Sequence, residues 1–139
     1  MKLNILTILA ACICSSVMGQ GVLTVEVSNI KEMKGNVNVG LFTNENDFLK
    51  KSAFGKIVKA DKGKVIVTFE DLPVGNYAVS VIHDENENGE LDSNFMGIPK
   101  EGFGFGNDAT GMFGPPSFDK TLVNWEGKDK SVKITMKYM

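Results

Sequence analysis

Strict alternation of apolar and polar side chains runs through this chain. A two-residue period suits a half-buried strand and cannot be kept on one face of a helix. In "GVLTVEVSNI" Leu23, Val25 and Val27 share one face, with Thr24, Glu26 and Ser28 on the other. "GNVNVGLFT" repeats the pattern through Val37, Val39 and Leu41, and "GKVIVTFEDL" through Val65, Val67 and Phe69. "GNYAVSVIH" does so through Tyr77, Val79 and Val81, and "SVKITMKYM" through Val132, Ile134, Met136 and Tyr138. "FGKIVKA" adds a shorter segment. Strands with one buried face each predict an all-β, antiparallel sandwich. The expected form is an immunoglobulin-like or prealbumin-like Greek-key β-sandwich of about seven strands, with one long Gly/Phe-rich loop.

Helical signal is confined to "NENDFLKKSA", where Asn44 or Asn46 can cap a short turn and Phe48, Leu49 and Phe54 can face inward. Pro73 and Gly75 in "DLPVGNY" supply the turn before the strand that contains Tyr77.

With 139 residues, the chain suits one domain with its own core. The first residues, "MKLNILTILAACICSSVMGQ", place Lys2 before an apolar stretch and end in small residues. That order predicts a signal peptide over residues 1–19, leaving a single β-sandwich domain over 20–139 that is exported to a periplasmic or extracellular space. The apolar stretch falls short of the roughly 20 residues a membrane-spanning helix needs. Both cysteines, Cys12 and Cys14, lie within it, so the mature chain has none for a disulfide. Leu9-Ala10-Ala11-Cys12 also resembles a lipobox, which leaves a lipid anchor at Cys12 as an alternative end to the leader.

The formal charge is −2, and lysines alternate with acidic neighbours as in "KGKVIVTFED". No basic stripe exists to displace counterions from a phosphate backbone, which argues against nucleic acid as a partner.

The regular pattern stops from residue 84 to residue 119. A loop this long is uncommon in a compact domain unless it is functional or disordered. Its aromatic and methionine content, Phe95, Met96, Phe103, Phe105, Met112, Phe113 and Phe118, predicts an ordered loop that packs on the end of the sandwich or contacts a ligand. At its start, "HDENENGELD" places oxygen-bearing side chains on alternate residues: Asp84, Asn86, Asn88, then Gly89, then Asp92. This matches the first two-thirds of a calcium loop, with Glu90 offering its backbone carbonyl at the seventh position. Hard oxygen donors without thiol or imidazole favour calcium over zinc or copper. The closing bidentate carboxylate is missing, since Phe95 stands in its place. Completion falls to another segment, with Asn94, Glu101, Asn107 or Asp108 as candidates. The alternative is a polar turn built on Asn88-Gly89.

His83, the single histidine, shares parity with Tyr77, Val79 and Val81 and points inward at the end of its strand. It can be a core-edge histidine bonded to the loop. It can also be a base at the centre of an envelope-associated hydrolase with Asp84 and Asp92. No nucleophile elbow accompanies it, and the Ser-x-x-Lys matches at Ser28 and Ser117 lack partner motifs. Alternate glycines in "GFGFGND" are not a dinucleotide loop. They let the backbone lie flat while Phe103 and Phe105 pack on one side.

Taken together, "LPVGNYAVSVIHDENENGELDSNFMGIPKEGFGFGND" and "FGPPSFDKTLV" resemble the bacterial exported family called domain of unknown function 2141. Its pattern runs from a Gly-x-Tyr strand into His-Asp-x-Asx-x-Asn-Gly-x-Leu-Asp and on to Gly-Phe-x-Asn. The resemblance implies a small exported β-sandwich and transfers no catalytic residue. The expected function is that of a non-enzymatic module whose calcium-ordered loop meets an unknown protein or envelope ligand. A hydrolase and a purely structural domain are the alternatives.

Overall fold

The computed structural model describes residues 21–139, so the stretch expected to be a leader, residues 1–19, and Cys12 lie outside the described residues. Eight strands follow one another: β1 (Leu23–Ile30), β2 (Asn36–Phe42), β3 (Phe54–Lys59), β4 (Gly63–Phe69), β5 (Gly75–Asp84), β6 (Gly102–Phe105), β7 (Leu122–Trp125) and β8 (Lys130–Thr135). They form two sheets, one ordered β4-β1-β8 and the other β3-β2-β5-β6, with β7 also paired to β5. The chain is all-β, and its helical content among the described residues consists of 3-10 turns. Among those residues no helix is long and apolar enough to cross a membrane.

Each segment with two-residue alternation is a strand, and the apolar parity faces the space between the sheets. Leu23, Val25, Val27, Val37, Val39, Leu41, Val67, Val79, Val81 and Ile134 are all buried there. The pairing departs from a wholly antiparallel sandwich in one place. β1 and β8 run parallel, from Leu23 opposite Lys130 to Ser28 opposite Thr135. β8 enters its sheet by crossing over from β7 in the other one, so no hairpin fixes its direction.

The "NENDFLKKSA" segment forms a single 3-10 turn, Glu45–Asp47, capped by the Asn44 side chain on the Asp47 N–H. Its apolar residues divide. Phe48 packs edge-on against Phe42 and Phe118, whereas Leu49 and Phe54 are exposed.

Within the stretch expected to be one loop, Gly102–Phe105 is a strand. β6 pairs with Ser80–His83 of β5, and β7 pairs with Gly75–Ala78 of the same strand. The two therefore act as one edge strand interrupted by residues 106–121. Asn107 closes the neck of this excursion, its amide donating to Lys120 O at 3.1 Å and Leu122 O at 2.9 Å from a left-handed backbone, φ 60°. Asp108 then accepts the Thr135 N–H at 2.8 Å, which ties the excursion to β8 of the opposite sheet. Asn107→Ala removes both donors at once, and the expected loss is about 1–3 kcal/mol. A lower urea midpoint with an unchanged slope is the predicted result.

The sheets also meet at this corner. Phe103 exchanges two backbone hydrogen bonds with Lys137, at 3.0 and 2.8 Å. Gly102 and Gly104 point inward at the crossing. A Cβ on Gly102 would stand 2.4 Å from the Tyr138 ring, and one on Gly104 2.7 Å from Ile134 Cγ2. Phe103 and Phe105 lie together on the opposite face, ring centroids 6.1 Å apart.

Candidate functional site

β5 carries the chain to the acidic loop. Its inward parity ends on His83, and the next residue, Asp84, turns outward at the sheet margin. Asp84 is nonetheless 2% exposed, because the loop folds back over it. Its Oδ1 accepts the Asn88 N–H at 3.2 Å and its Oδ2 accepts the Gly89 N–H at 2.7 Å. Gly89 adopts φ 80°, the left-handed conformation that a glycine takes without steric cost. These bonds make Asp84 the internal cap of a tight Asx-type turn.

The remaining polar side chains fill in around it. Asn86 Oδ1 lies 3.4 Å from the Asn88 N–H, and Asn88 Oδ1 accepts the Glu90 N–H at 3.0 Å. The amides of Asn86 and Asn88 both donate to Asp92, at 2.5 and 2.8 Å. Asn86, Asn88 and Glu90 are exposed and Asp92 is half-buried. Glu90 joins the network through its N–H alone.

Of the four candidates for completing the site, the fold brings in Glu101. This residue is 4% exposed and bridges the two ends of the loop, accepting the Glu85 N–H at 2.6 Å and the Asp92 N–H at 3.0 Å. Asn94 instead caps its own turn, accepting from the Met96 and Ile98 N–H groups, while Asn107 and Asp108 serve the excursion described above. One residue that the sequence did not single out belongs here as well. Asn38 of β2 reaches Asp84 Oδ2 with its amide nitrogen at 3.5 Å, and its Oδ1 is buried without a hydrogen-bond partner among the described residues. Its position on the polar parity of β2 gave no signal of this.

Two carboxylates, Asp84 and Glu101, are thus buried on backbone N–H groups, and among the described residues neither has a salt bridge. The ion pair found among the described residues is Lys64 with Glu26, elsewhere on the surface. Among the described residues, no group of three or more His, Cys, Asp or Glu side chains stands close enough to hold a metal by itself. Any ion here would draw on amide and backbone oxygens too, as calcium does.

The hydrogen bonds from Asn88 and then Asn86 hold the Asp92 carboxyl below its ordinary value of 3.8, with smaller help from Glu101 and Lys100. A folded-state value lower than the unfolded one gives a contribution that is present above the ordinary aspartate range. It is lost as pH falls through the depressed value. Loop order is therefore expected to stay constant from neutral pH down to the ordinary carboxylate range, and to fail below it. The side-chain amide resonances of Asn86 and Asn88, which donate to Asp92, followed against pH measure this, and Asp92→Asn should remove the part of the acid step that Asp92 carries.

His83 does not face this loop. It is fully buried, with Nε2 at 2.7 Å from Lys34 O and Nδ1 at 2.8 Å from the Tyr138 hydroxyl. A carbonyl can only accept, so Nε2 carries a hydrogen toward Lys34 O, and in the neutral ring Nδ1 is left to accept the Tyr138 O–H. The same hydroxyl oxygen accepts the Lys31 N–H at 3.1 Å. Both ring nitrogens are engaged within the core margin. A depression of about 450 Å³ beside the loop is lined by Met33, Gly35, Lys59, Ala60, Asp61 and Glu87, and His83 is not among its lining residues.

The aromatic residues of the long stretch do not all pack as expected. Phe105 is buried, and Phe103 and Phe118 are half-buried, but Phe95 is 98% and Phe113 100% exposed, with Met96 and Met112 beside them. Phe95 and Met96 sit in a short turn, and Met112 and Phe113 in an exposed bend of the excursion. The turn that carries Phe95 is closed by Asn94 N to Ile98 O at 2.9 Å and Gly97 N to Asn94 O at 3.0 Å.

Neither the curated proteins nor the solved structures yield a match to this chain. A family model does. The strand–loop–strand arrangement just described falls within residues 25–133, the span matched by the model described as "Uncharacterized protein conserved in bacteria (DUF2141)", and the chain belongs to that family.

Proposed function

We propose that this protein is an exported, non-enzymatic β-sandwich module whose loop from Asp84 to Asp92 takes up calcium and thereby holds a surface for a protein or envelope ligand. The observation that carries the reading is the burial of Asp84 and Glu101 with no ion pair to either among the described residues. Buried anions are costly unless compensated, and each of these is met by two backbone N–H donors, which leaves a role for a cation. Asn38, whose amide nitrogen lies 3.5 Å from Asp84 Oδ2, adds a buried Oδ1 without a hydrogen-bond partner among the described residues. Asp84, Asn86, Asn88 and Asp92 supply hard oxygens of the kind calcium prefers, and Glu90 would add its carbonyl. Calcium would supply charge compensation and loop order, with no chemistry of its own.

Export rests on the leader pattern of residues 1–19, with lipidation at Cys12 as its variant. An immunoglobulin-like or prealbumin-like Greek-key class is supported by the crossings between sheets at β1–β2, β3–β4 and β4–β5. It is supported too by the Tyr77 hydroxyl donating back to Pro73 O, in the manner of a tyrosine corner. A hydrolase centred on His83, Asp84 and Asp92 draws no support from a buried histidine with both nitrogens engaged. One observation favours a structural reading instead, namely that the loop's own hydrogen bonds already satisfy most of its polar groups.

A calcium titration of the chain lacking residues 1–19 separates these readings. Calcium at about 100 times its dissociation constant should stabilise the fold by about 2.7 kcal/mol, seen as a saturable rise in melting temperature. Magnesium should not reproduce it, and the Asp84→Ala, Asp92→Ala double variant should lose it. An unchanged melting temperature in millimolar calcium favours the structural reading.

A further inference from the structure

Asn88-Gly89 is the single Asn-Gly pair in the chain, and it sits at the exposed turn of the acidic loop. In such a pair the glycine nitrogen can attack the asparagine side-chain carbonyl carbon. A new N–C bond closes a succinimide, the Cγ–Nδ2 bond breaks, and ammonia leaves with the backbone proton. Water then opens the ring to aspartate or isoaspartate. The glycine also carries no side chain to hinder the approach of its nitrogen, and the turn around it is exposed.

Each atom that must move is nevertheless tied. The nucleophile, Gly89 N, donates to Asp84 Oδ2 at 2.7 Å. The leaving group, Asn88 Nδ2, donates to Asp92 Oδ1 at 2.8 Å. The carbonyl oxygen, Asn88 Oδ1, accepts from Glu90 N at 3.0 Å. We propose that Asn88 is a deamidation site which these three hydrogen bonds hold shut, so that opening of the loop, and not the Asn-Gly sequence alone, sets its rate. Conversion to aspartate places a further negative charge between Asp84 and Asp92. Isoaspartate also lengthens the backbone at the turn and breaks the register of the Asp84 and Glu90 bonds. Loop opening thereby becomes irreversible in chemical terms. This inference does not depend on calcium, because every bond it uses is within the chain.

Peptide mapping by mass spectrometry tests it on the chain lacking residues 1–19, incubated at mildly alkaline pH with a chelator present. Asn88 in the folded protein should deamidate at least about tenfold more slowly than in the same chain unfolded in urea, which corresponds to about 1.4 kcal/mol of local opening. Asp92→Ala, which frees the leaving group at a half-buried position, should raise the Asn88 rate in the folded protein while leaving the other asparagines unchanged. Asp84→Ala should raise it further, and if that variant fails to fold, the Asp92→Ala comparison decides. Equal rates in folded and unfolded wild-type protein overturn the proposal. So does an Asp92→Ala protein that is folded yet no faster than wild type.

Discussion

Replacing Trp125 with alanine is expected to cost about 3–5 kcal/mol, a large share of the roughly 5–15 kcal/mol by which a domain of this kind is stable. Trp125 is completely buried and heads the largest buried side chains of the core. Its backbone pairs with Gly75 at the start of β5, and its side chain belongs to the core cluster between the sheets. Its indole N–H donates to Leu72 O at 2.9 Å inside the core. Alanine leaves both a cavity and an unpaired carbonyl. Trp125→Phe separates the two costs, because it keeps most of the apolar volume and loses the donor alone, for about 1–3 kcal/mol. Chemical denaturation of the three proteins side by side checks the order: wild type, then Phe, then Ala.

The second large effect is expected at the glycine corner. Gly104→Val places carbon against Ile134 Cγ2, which belongs to the core and has no room to retreat. Overpacking of this kind costs about 1–3 kcal/mol, occasionally more. Gly102→Ala meets the Tyr138 ring, and moving that ring breaks the hydrogen bond to His83 Nδ1. The two sites should differ in a revealing way. Tyr138→Ala ought to relieve part of the Gly102→Ala penalty, giving a coupling of about 0.5–3 kcal/mol in a double-mutant cycle, whereas it should leave the Gly104→Val penalty unchanged. A cycle without coupling at Gly102 would mean that the close approach of β6 to Tyr138 is not what requires glycine.

How much of this was legible depended on the physical scale of each signal. Strands that bury a whole face, such as β1 and β5, write an alternation over seven or more residues that survives without any tertiary knowledge. β7 buries only Val123 and Trp125, and two inward residues are too few to reveal a period. β6 was hidden for a different reason, since its inward positions are glycines and its apolar side chains face outward. Glycine there answers to the opposite sheet, and no local pattern encodes that. The parallel pairing of β8 was likewise set by a long-range crossing.

The loop divides along the same line. Asp84, Asn86, Asn88 and Asp92 announced themselves by spacing, because a tight turn uses near neighbours in sequence. Glu101 could be named only as one of several candidates, and Asn38 had no signal, because each reaches the loop through the fold. The expectation that Phe95 and Phe113 pack into a compact loop failed, since Phe95 lies in a short turn and Phe113 in an exposed bend of the excursion.

The claim on which the functional account turns is that Asp84 and its neighbours hold an ion. The most direct test follows backbone amide chemical shifts of the labelled chain, residues 20–139, during calcium addition. Gly89, Asn88, Glu85 and Asp92 donate to the carboxylate or amide oxygens an ion would share. The account predicts saturable shifts at these amides, absent with magnesium and absent in Asp84→Ala, while β1 and β8 stay still. Amides that remain in place through millimolar calcium would contradict it, and the acidic loop would then stand as a turn closed by its own hydrogen bonds.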